Sequence, residues 1–354
     1  MLRSLALGLG VLSLFCAARA EALEQFARPA PEFPAGEAWI NAKPLTLSRL
    51  RERRAVLLAF LNPANVNSLR AAKVLEEWSK LYGLDGLMVI GVLTPDYDFQ
   101  KDPRLARAAL KRWGLTFPVV LDEDRRIWKA YANDGWPAFY VLDHKGRISF
   151  DHLGEGGYSD IEAHFRSALE DVPGAGTPPF APTAQDPSSQ DCGAMTPEVS
   201  LGAARGKAVK LAKDEPASRF PPATRDGELA YRGRWELGRD FMRSADDNPR
   251  RKAYLRLICR GLQVFAVLAP AGASPALFYV RQDGIWLQPG NSGKDVEFDD
   301  DGRSFVRAEE PRLYELVRNP DDSVHELTLT PMRRGSAVYD FSFADRCLPL
   351  APPE

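Results

Sequence analysis

The sequence contains little sulfur and almost no net charge. Its 354 residues include 4 cysteines, and 46 basic side chains nearly balance 48 acidic ones, giving a formal charge of -2. This balance excludes a strongly basic nucleic-acid-binding protein and a highly charged disordered chain. Beyond the N-terminal segment, no stretch approaches the ~18 consecutive apolar residues of a membrane-spanning helix. The composition indicates a globular protein, for which this length predicts two domains.

The N-terminal residues read as an export signal and not as part of the fold. The basic start Met1-Leu2-Arg3 precedes an apolar run from Leu5 to Phe15 and the small-x-small sequence Ala18-Arg19-Ala20. This pattern is typical of a cleaved secretory signal peptide. We expect an exported, periplasmic protein with no membrane span after cleavage. Cys16 leaves a lipid-anchored lipoprotein open, although Phe15 stands where lipidation needs a small residue.

Three cysteines remain after removal of the signal peptide: Cys192, Cys259 and Cys347. An odd number in an oxidising compartment permits at most one internal disulfide. Cys259 lies in an apolar run and is expected to be a buried strand residue, so we favour a disulfide between Cys192 and Cys347. Closing so long a loop stabilises on the order of 5 kcal/mol by the chain-entropy model. The alternative, that all three are unpaired, stays open.

A stretch rich in Pro, Gly and Ser divides the chain. After the signal peptide at 1–20, a first domain is predicted at 39–171, a linker at 172–191 and a second domain at 192–348. Strand and helix patterns alternate in the first domain, which is the βαβ rhythm of a mostly parallel sheet. Short alternating runs separated by Gly and Asp turns in the second domain indicate an all-β sandwich or jelly roll.

Apolar periodicity predicts individual elements of the first domain. Strands are expected at 55–60 and 87–93, helices over 66–82, 105–113 and 158–169, and a hairpin turns at 143–146, where Gly146 supplies a positive φ. The apolar stripe of the first long helix is predicted to consist of Val74, Leu75, Trp78, Leu81 and Tyr82.

The order of these elements, with Trp136-Pro137 directly before the hairpin, resembles the thioredoxin fold. Residues 39–169 resemble the extracytoplasmic thioredoxin domain of the DipZ-like and TlpA-like family, and the resemblance implies that a β-sandwich module follows it. The segments that carry this likeness are Trp39-Ile40-Asn41, Lys101-Asp102-Pro103, Trp136-Pro137-Ala138, Gly154-Glu155-Gly156-Gly157-Tyr158, Thr196-Pro197-Glu198 and Arg312-Leu313-Tyr314-Glu315-Leu316. The expected fold is an α/β thioredoxin-like domain followed by an all-β sandwich.

The sequence departs from this family at the redox motif. The resemblance implies Cys-x-x-Cys where the strand ending at Phe60 meets the helix, because the helix dipole stabilises a thiolate there. The chain has Asn65 and Ser68 at the two cysteine positions, and Ala59 in place of the acidic residue that accepts a proton from the second thiol. Neither Asn nor Ser forms a mixed disulfide. We therefore predict no catalytic residue here and a chain that is not an enzyme.

The resemblance also implies a peptide-binding surface. The bond before Pro137 is expected to be cis, beside a backbone edge that pairs with an extended peptide. Asn65, Ser68, Trp136 and Pro137 are predicted to bind a polypeptide or an envelope protein. Alternatively, Trp136 and Pro137 only hold the fold.

Two further functions stay open. One is thiol-disulfide exchange through an unrecognised thiol. The other is glycan binding by sandwich aromatics, for which the candidates are Trp235, Tyr254, Trp286 and Tyr314, although aromatic residues at strand spacing are more often core residues. No metal ion, cofactor or nucleic acid is expected as a ligand.

Overall fold

The computed structural model describes residues 28–176, 186, 193–205 and 226–345. The predicted signal peptide, most of the predicted linker, and both predicted disulfide partners, Cys192 and Cys347, lie outside these residues. Within the described ranges, no helix is long and apolar enough to cross a membrane.

The chain divides into two compact units. The first comprises the residues up to Asn62, Asn67–Asp96 and Leu110–Asp186, and the second comprises Pro63–Val66, Tyr97–Ala109 and the residues from Pro187 onwards. Two short segments of the predicted first domain are thus grouped with the second unit.

The N-terminal half alternates strands and helices around one sheet. Its elements are β1 (Arg28–Pro29), β2 (Trp39–Ile40), α1 (Leu47–Leu50), β3 (Ala55–Leu61), α2 (Val66–Tyr82), β4 (Leu87–Leu93), α3 (Pro103–Trp113), β5 (Val119–Leu121), α4 (Arg126–Ala130), β6 (Ala138–Leu142), β7 (Arg147–Leu153) and α5 (Tyr158–Glu170). A 3₁₀ turn at Asp98–Lys101 precedes α3.

The strands of this half are ordered β1-β7-β6-β3-β4-β5-β2. The pairs β3-β4 and β4-β5 are parallel, whereas the other pairings of the described strands are antiparallel. The prediction of a mostly parallel sheet is therefore wrong. The β6-β7 hairpin and the short edge strands β1 and β2 supply the antiparallel pairings, and edge strands of two residues leave almost no periodic signal in a sequence.

The sequence explains the central strand and the long helix. Every residue of β3 is buried, as expected for a continuous apolar run in the middle of a sheet that is covered on both faces. Helix α2 buries Leu75, Trp78 and Tyr82 completely or nearly so, but Leu81 is 40% exposed. The prediction for Leu81 is wrong because successive helical residues are rotated by about 100°, which turns Leu81 away from the face that Tyr82 occupies.

The second unit contains two antiparallel sheets. Its strands are β8 (Val199–Ser200), β9 (Leu229–Arg232), β10 (Trp235–Leu237), β11 (Met242–Ser244), β12 (Tyr254–Arg260), β13 (Gln263–Ala269), β14 (Ala276–Gln282), β15 (Ile285–Trp286), β16 (Val296–Phe298), β17 (Ser304–Ala308), β18 (Arg312–Arg318), β19 (Val324–Pro331) and β20 (Ala337–Ala344). One sheet follows the order β10-β11-β20-β13-β18 and the other β16-β17-β14-β19-β12-β9. One core cluster draws buried residues from both sheets, which makes this unit a sandwich.

Residues 228–237 form one alternating run in the sequence, which predicts a single strand, but the structure has two strands there, in different sheets. Gly233 separates β9 from β10 with a φ of 87°. A Cβ atom at this position would lie 2.4 Å from the Cβ of Ala253, so both the backbone conformation and the close approach require glycine here. The alternating pattern continues through the turn, and the corner is therefore invisible to periodicity.

Candidate functional site

The site predicted from the sequence lies at one end of the first sheet. Strands β3, β4 and β5 are parallel and share their carboxyl ends. Strand β6 runs in the opposite direction with Ala138 opposite Phe60, which places the preceding residue, Pro137, at the same end. The peptide bond between Trp136 and Pro137 is cis, which confirms that prediction.

Two of the positions at which the family carries its redox chemistry are fully buried. Ser68, the third residue of α2, has no exposed surface, and its hydroxyl accepts a hydrogen bond from the backbone N–H of Asn62 at 3.1 Å. Ala59 is equally buried in β3 and is paired with Gly91 and Phe139. A buried hydroxyl cannot contact a peptide, so the structure gives Ser68 a role in fixing the loop before α2 and not in the binding surface.

Asn65 directly precedes α2 and lies in a segment that is grouped with the second unit. Its own side chain is half-buried, whereas its neighbours Ala64 and Val66 are only 5% and 3% exposed. Ala64 packs in an apolar cluster with Val267, and Val66 packs in another with Phe265. Asn65 is thus half-buried between two covered residues.

Trp136 has unpaired main-chain groups at an accessible position. In the described part of the chain, neither its N–H nor its C=O has a hydrogen-bond partner, whereas the C=O of Pro137 accepts the N–H of Gly154 at 2.8 Å. The Trp136 residue is half-buried. Unpaired backbone groups beside the first residue of a strand are where an extended peptide can add by β-pairing.

Arg125 and Trp128, which the sequence analysis did not single out, pack around the Trp136 indole. The ring centroids of Trp128 and Trp136 are 4.4 Å apart, and the guanidinium carbon of Arg125 lies 5.1 and 5.3 Å from them. The Arg125 side chain is 37% exposed, and its Nε and Nη2 atoms donate to the C=O of Pro95 at 3.1 and 2.8 Å. The result is an aromatic pair with a guanidinium group against it, and Oδ1 of Asp96 lies 3.8 Å from that group. The position of Arg125 shortly after β5, at the carboxyl end of the sheet, was the available sequence signal.

Asp122 fixes the loop that carries Arg125. Its carboxylate is fully buried and accepts the backbone N–H groups of Ile127 and Trp128 at 2.8 and 2.9 Å. It also accepts the hydroxyl of Thr94 at 2.9 Å. These bonds satisfy the N–H groups at the start of α4 and tie the β4 and β5 ends together.

Asn133 performs the same task for the loop that carries Trp136. Its side chain is buried, accepts the Tyr140 hydroxyl at 3.1 Å and donates to the C=O of Gly135 at 3.0 Å. The residue before Trp136 is therefore held to β6, and the unpaired backbone groups of Trp136 are held in a defined place.

A buried ion pair links the start of α2 to the loop after β7. Nη2 of Arg70 lies 2.7 Å from Oε2 of Glu155, and both side chains are 7% exposed. Glu155 follows Gly154, which binds the C=O of Pro137. The Gly154–Tyr158 segment, which was noted for its family likeness, thus connects α2 with the loop that carries Trp136 and Pro137.

The aromatic residues considered for glycan binding do not form one exposed platform. Tyr314 is 1% exposed and lies in the sandwich core. Trp235 and Trp286 belong to different sheets, and the indole N–H of Trp235 is bonded to the C=O of Arg232.

Comparisons with known proteins agree with this architecture. A family profile described as "Thioredoxin like C-terminal domain" matches residues 196–344. Protein DipZ of Mycobacterium tuberculosis is 33% identical over 254 residues, which cover 69% of this chain and 35% of DipZ. The chain is a relative of DipZ. It spans about a third of the length of the DipZ proteins that it matches.

Shorter relatives match about two fifths of the chain. The thiol-disulfide oxidoreductase YkuV of Bacillus subtilis is 25% identical over 145 residues, covering 41% of this chain and 97% of YkuV. A thioredoxin-like protein solved in its oxidised form is 25% identical and covers 41% of this chain and 97% of its own, with a TM-score of 0.38. The chain is therefore similar in sequence to DipZ and to a thiol-disulfide oxidoreductase. The predicted family and the predicted fold, a thioredoxin-like domain followed by a β-sandwich, are confirmed.

Thiol-disulfide exchange would need a thiol elsewhere in the chain. The described residues include one cysteine, Cys259. Cys259 is unpaired, lies in β12 and is 2% exposed, which confirms the prediction of a buried strand residue. Burial, with minor contributions from the charges of Asp226 and Asp283, raises the pKa of its thiol to about 12.

We expect Cys259 to resist alkylation in the folded protein. With a pKa of about 12, only ~1 thiol in 10⁴ is ionised at pH 8, and the thiolate is the reactive form. Iodoacetamide treatment followed by mass spectrometry of the Cys259 peptide should show modification in 8 M urea and almost none without it. Equal labelling in both conditions would show that the thiol is accessible.

Proposed function

We propose that this chain is an exported thioredoxin-like protein that binds extended polypeptides at Trp136 and performs no dithiol exchange at the start of α2. The observation that carries the proposal is that the backbone N–H and C=O of the half-buried Trp136 have no hydrogen-bond partner among the described residues. Export is inferred from the N-terminal sequence pattern.

The surroundings of Trp136 suit an extended peptide. Its main chain offers one donor and one acceptor, and each backbone hydrogen bond contributes a net ~0.5–1.5 kcal/mol. The indoles of Trp128 and Trp136 add an apolar surface for a side chain. Arg125, at 37% exposure, adds N–H donors for carbonyl or carboxylate groups of the peptide, and its charge is partly balanced by Asp96, whose Oδ1 lies 3.8 Å from Nη2. Ser68 takes no part, because it is buried.

Two features support binding without redox turnover. Asn65 and Ser68 stand where related proteins would carry thiols, and neither side chain can form or resolve a mixed disulfide. Cys259 is a poor substitute because burial keeps it protonated. A peptide held by backbone pairing needs no sulfur, so the binding step of the family is retained without its chemistry.

Replacing Trp136 by alanine is expected to weaken binding of a reduced, carboxymethylated unfolded protein at least tenfold. The change removes the aromatic surface and releases the loop that presents the backbone groups. Fluorescence anisotropy with a labelled client measures the affinity. Trp286→Ala, which removes another partly exposed indole in the second unit, should leave the affinity within twofold. An equal loss in both variants, or no binding by the unmodified chain, would refute peptide binding at Trp136.

A further inference from the structure

A basic cleft lies in the second unit, in residues that the proposed function does not use. It has a volume of about 660 Å³ and is formed by the turn between β9 and β10 and by the loop between β11 and β12. The charged residues that line it are Arg232, Arg234, Asp246, Asp247, Arg250 and Lys252.

The loop that forms one wall of the basic cleft is held by Asn248. This side chain is 6% exposed, and its amide donates to the C=O groups of Ala253 and Pro331 at 2.7 and 2.9 Å. Its carbonyl oxygen accepts the backbone N–H groups of Lys252 and Ala253 at 2.7 and 3.1 Å. With all four bonds made, the loop has a fixed path.

The opposite wall is tied to the same loop by strand pairing. Arg232, the last residue of β9, is paired with Tyr254, the first residue of β12. The C=O of Arg234 accepts the N–H of Ala245 at 3.0 Å. Basic residues nearly twenty positions apart in the sequence are thereby held around one concave surface.

The positive charges of the basic cleft exceed its negative charges. Asp246 lies 3.5 Å from Arg234, and the carboxylate of Asp247 accepts the backbone N–H of Arg334 at 2.9 Å. Among the described residues, Arg232, Arg250 and Lys252 have no carboxylate within ion-pair distance.

This local excess contrasts with the net charge of -2 for the whole sequence. A concavity with an excess of positive charge has a positive electrostatic potential and attracts anions. More positive charge lies nearby, because the N–H of Asn248 binds the C=O of Met332 at 3.0 Å and Arg333 and Arg334 follow directly in the sequence.

We propose that the basic cleft binds a ligand through a phosphate group. Guanidinium groups match the oxygens of phosphate with paired hydrogen bonds, and a charged oxyanion gains most from several of them. A volume of about 660 Å³ falls within the usual range for small-ligand sites, so the group belongs to a small soluble phosphate compound or to a phospholipid head. This inference is independent of peptide binding at Trp136.

The test uses the chain without its predicted signal peptide, with pyrophosphate as the probe. Isothermal titration calorimetry at low salt should detect binding that weakens as sodium chloride is added, because screening reduces the attraction. The double substitution Arg250→Glu and Lys252→Glu should weaken binding at least tenfold. Both residues are exposed loop residues, and circular dichroism checks that the variant is folded.

A matched control variant distinguishes binding in the basic cleft from a general effect of the protein's net charge. Lys294→Glu with Arg307→Glu makes the same change in net charge near β16 and in β17, whereas Arg232 lies in β9 at the opposite edge of that sheet. This variant should bind pyrophosphate within twofold of the unmodified chain. An equal loss in the control, or no pyrophosphate binding by the unmodified chain at low salt, overturns the proposal.

Vesicles distinguish the two sources of phosphate. If the ligand is a lipid head, the unmodified chain sediments with phosphatidylglycerol vesicles and not with phosphatidylcholine vesicles, and the Arg250→Glu, Lys252→Glu variant stays in solution. Pyrophosphate binding without sedimentation supports a small soluble ligand.

Discussion

Substituting cysteine for both Asn65 and Ser68 is expected to give an insulin-reduction rate at least tenfold above the assay background, whereas the unmodified chain should show no turnover above that background. The two positions flank the first turn of α2, where the helix dipole lowers the pKa of a thiol. Ser68 is fully buried and is close to cysteine in size, so a resolving thiol fits there.

The single substitutions are the controls for this experiment. Asn65→Cys alone should form mixed disulfides without turnover, because no second thiol releases the client. Ser68→Cys alone should react slowly, because the position is buried. The assay is insulin precipitation with dithiothreitol as the electron source. Turnover by the unmodified chain would refute the proposed redox inactivity, and an inactive double variant would show that the missing sulfur is not what limits the site.

We expect the double variant to be less active than an oxidoreductase with an intact Cys-x-x-Cys motif, for two physical reasons. Ala59 offers a methyl group where the family would have an acidic proton acceptor, so the second thiol would lack its base. The neighbours of Asn65 are also covered, because Ala64 and Val66 are 5% and 3% exposed. We therefore expect turnover that is detectable but slow compared with an oxidoreductase that has an intact motif.

The sequence predicted those parts of the fold that are set by local patterns. Helix α2 and strand β4 have the predicted bounds, 66–82 and 87–93, because a 3.6-residue period and an uninterrupted apolar run are unambiguous signals. The hairpin turn at Gly146, with a φ of 76°, followed from glycine chemistry alone. Sheet pairing was harder, since β1 and β2 have two residues each and no pattern indicates their partners.

The candidate sites were likewise predictable only where the signal lies in adjacent residues. Trp136 and Pro137 could be predicted as site residues because they are adjacent and directly precede the hairpin. The cation above Trp136 was missed, because Arg125 reaches the indole only through the β5 turn and the hydrogen bonds to Pro95. The sequence analysis did not predict the basic cleft, because strand pairing brings Arg232 close to the loop that contains Arg250. The overall composition gives a net charge close to zero and does not reveal this local excess of positive charge. Contacts set by tertiary structure leave no local periodicity to detect.

The second large effect is expected at Arg70. Replacing it by methionine should lower the free energy of unfolding by ~3–5 kcal/mol, because the buried carboxylate of Glu155 would lose the cation that lies beside it. The ion-pair distance is 2.7 Å and both side chains are 7% exposed, so water screens the pair little and hydrates the abandoned charge poorly. Urea unfolding followed by tryptophan fluorescence measures the change.

A double substitution and a surface control separate the charge from the packing. Arg70→Met with Glu155→Leu removes both charges, so it should recover much of the stability that Arg70→Met loses. Arg28→Met is the control, since the Arg28–Asp151 pair is 4.0 Å long with side chains 59% and 61% exposed, and such pairs contribute little. If Arg70→Met were as harmless as Arg28→Met, the pair would not hold α2 against the loop after β7. If instead the charge matters as argued, Arg70→Met should also weaken peptide binding, because Gly154, next to Glu155, is bonded to Pro137 beside Trp136.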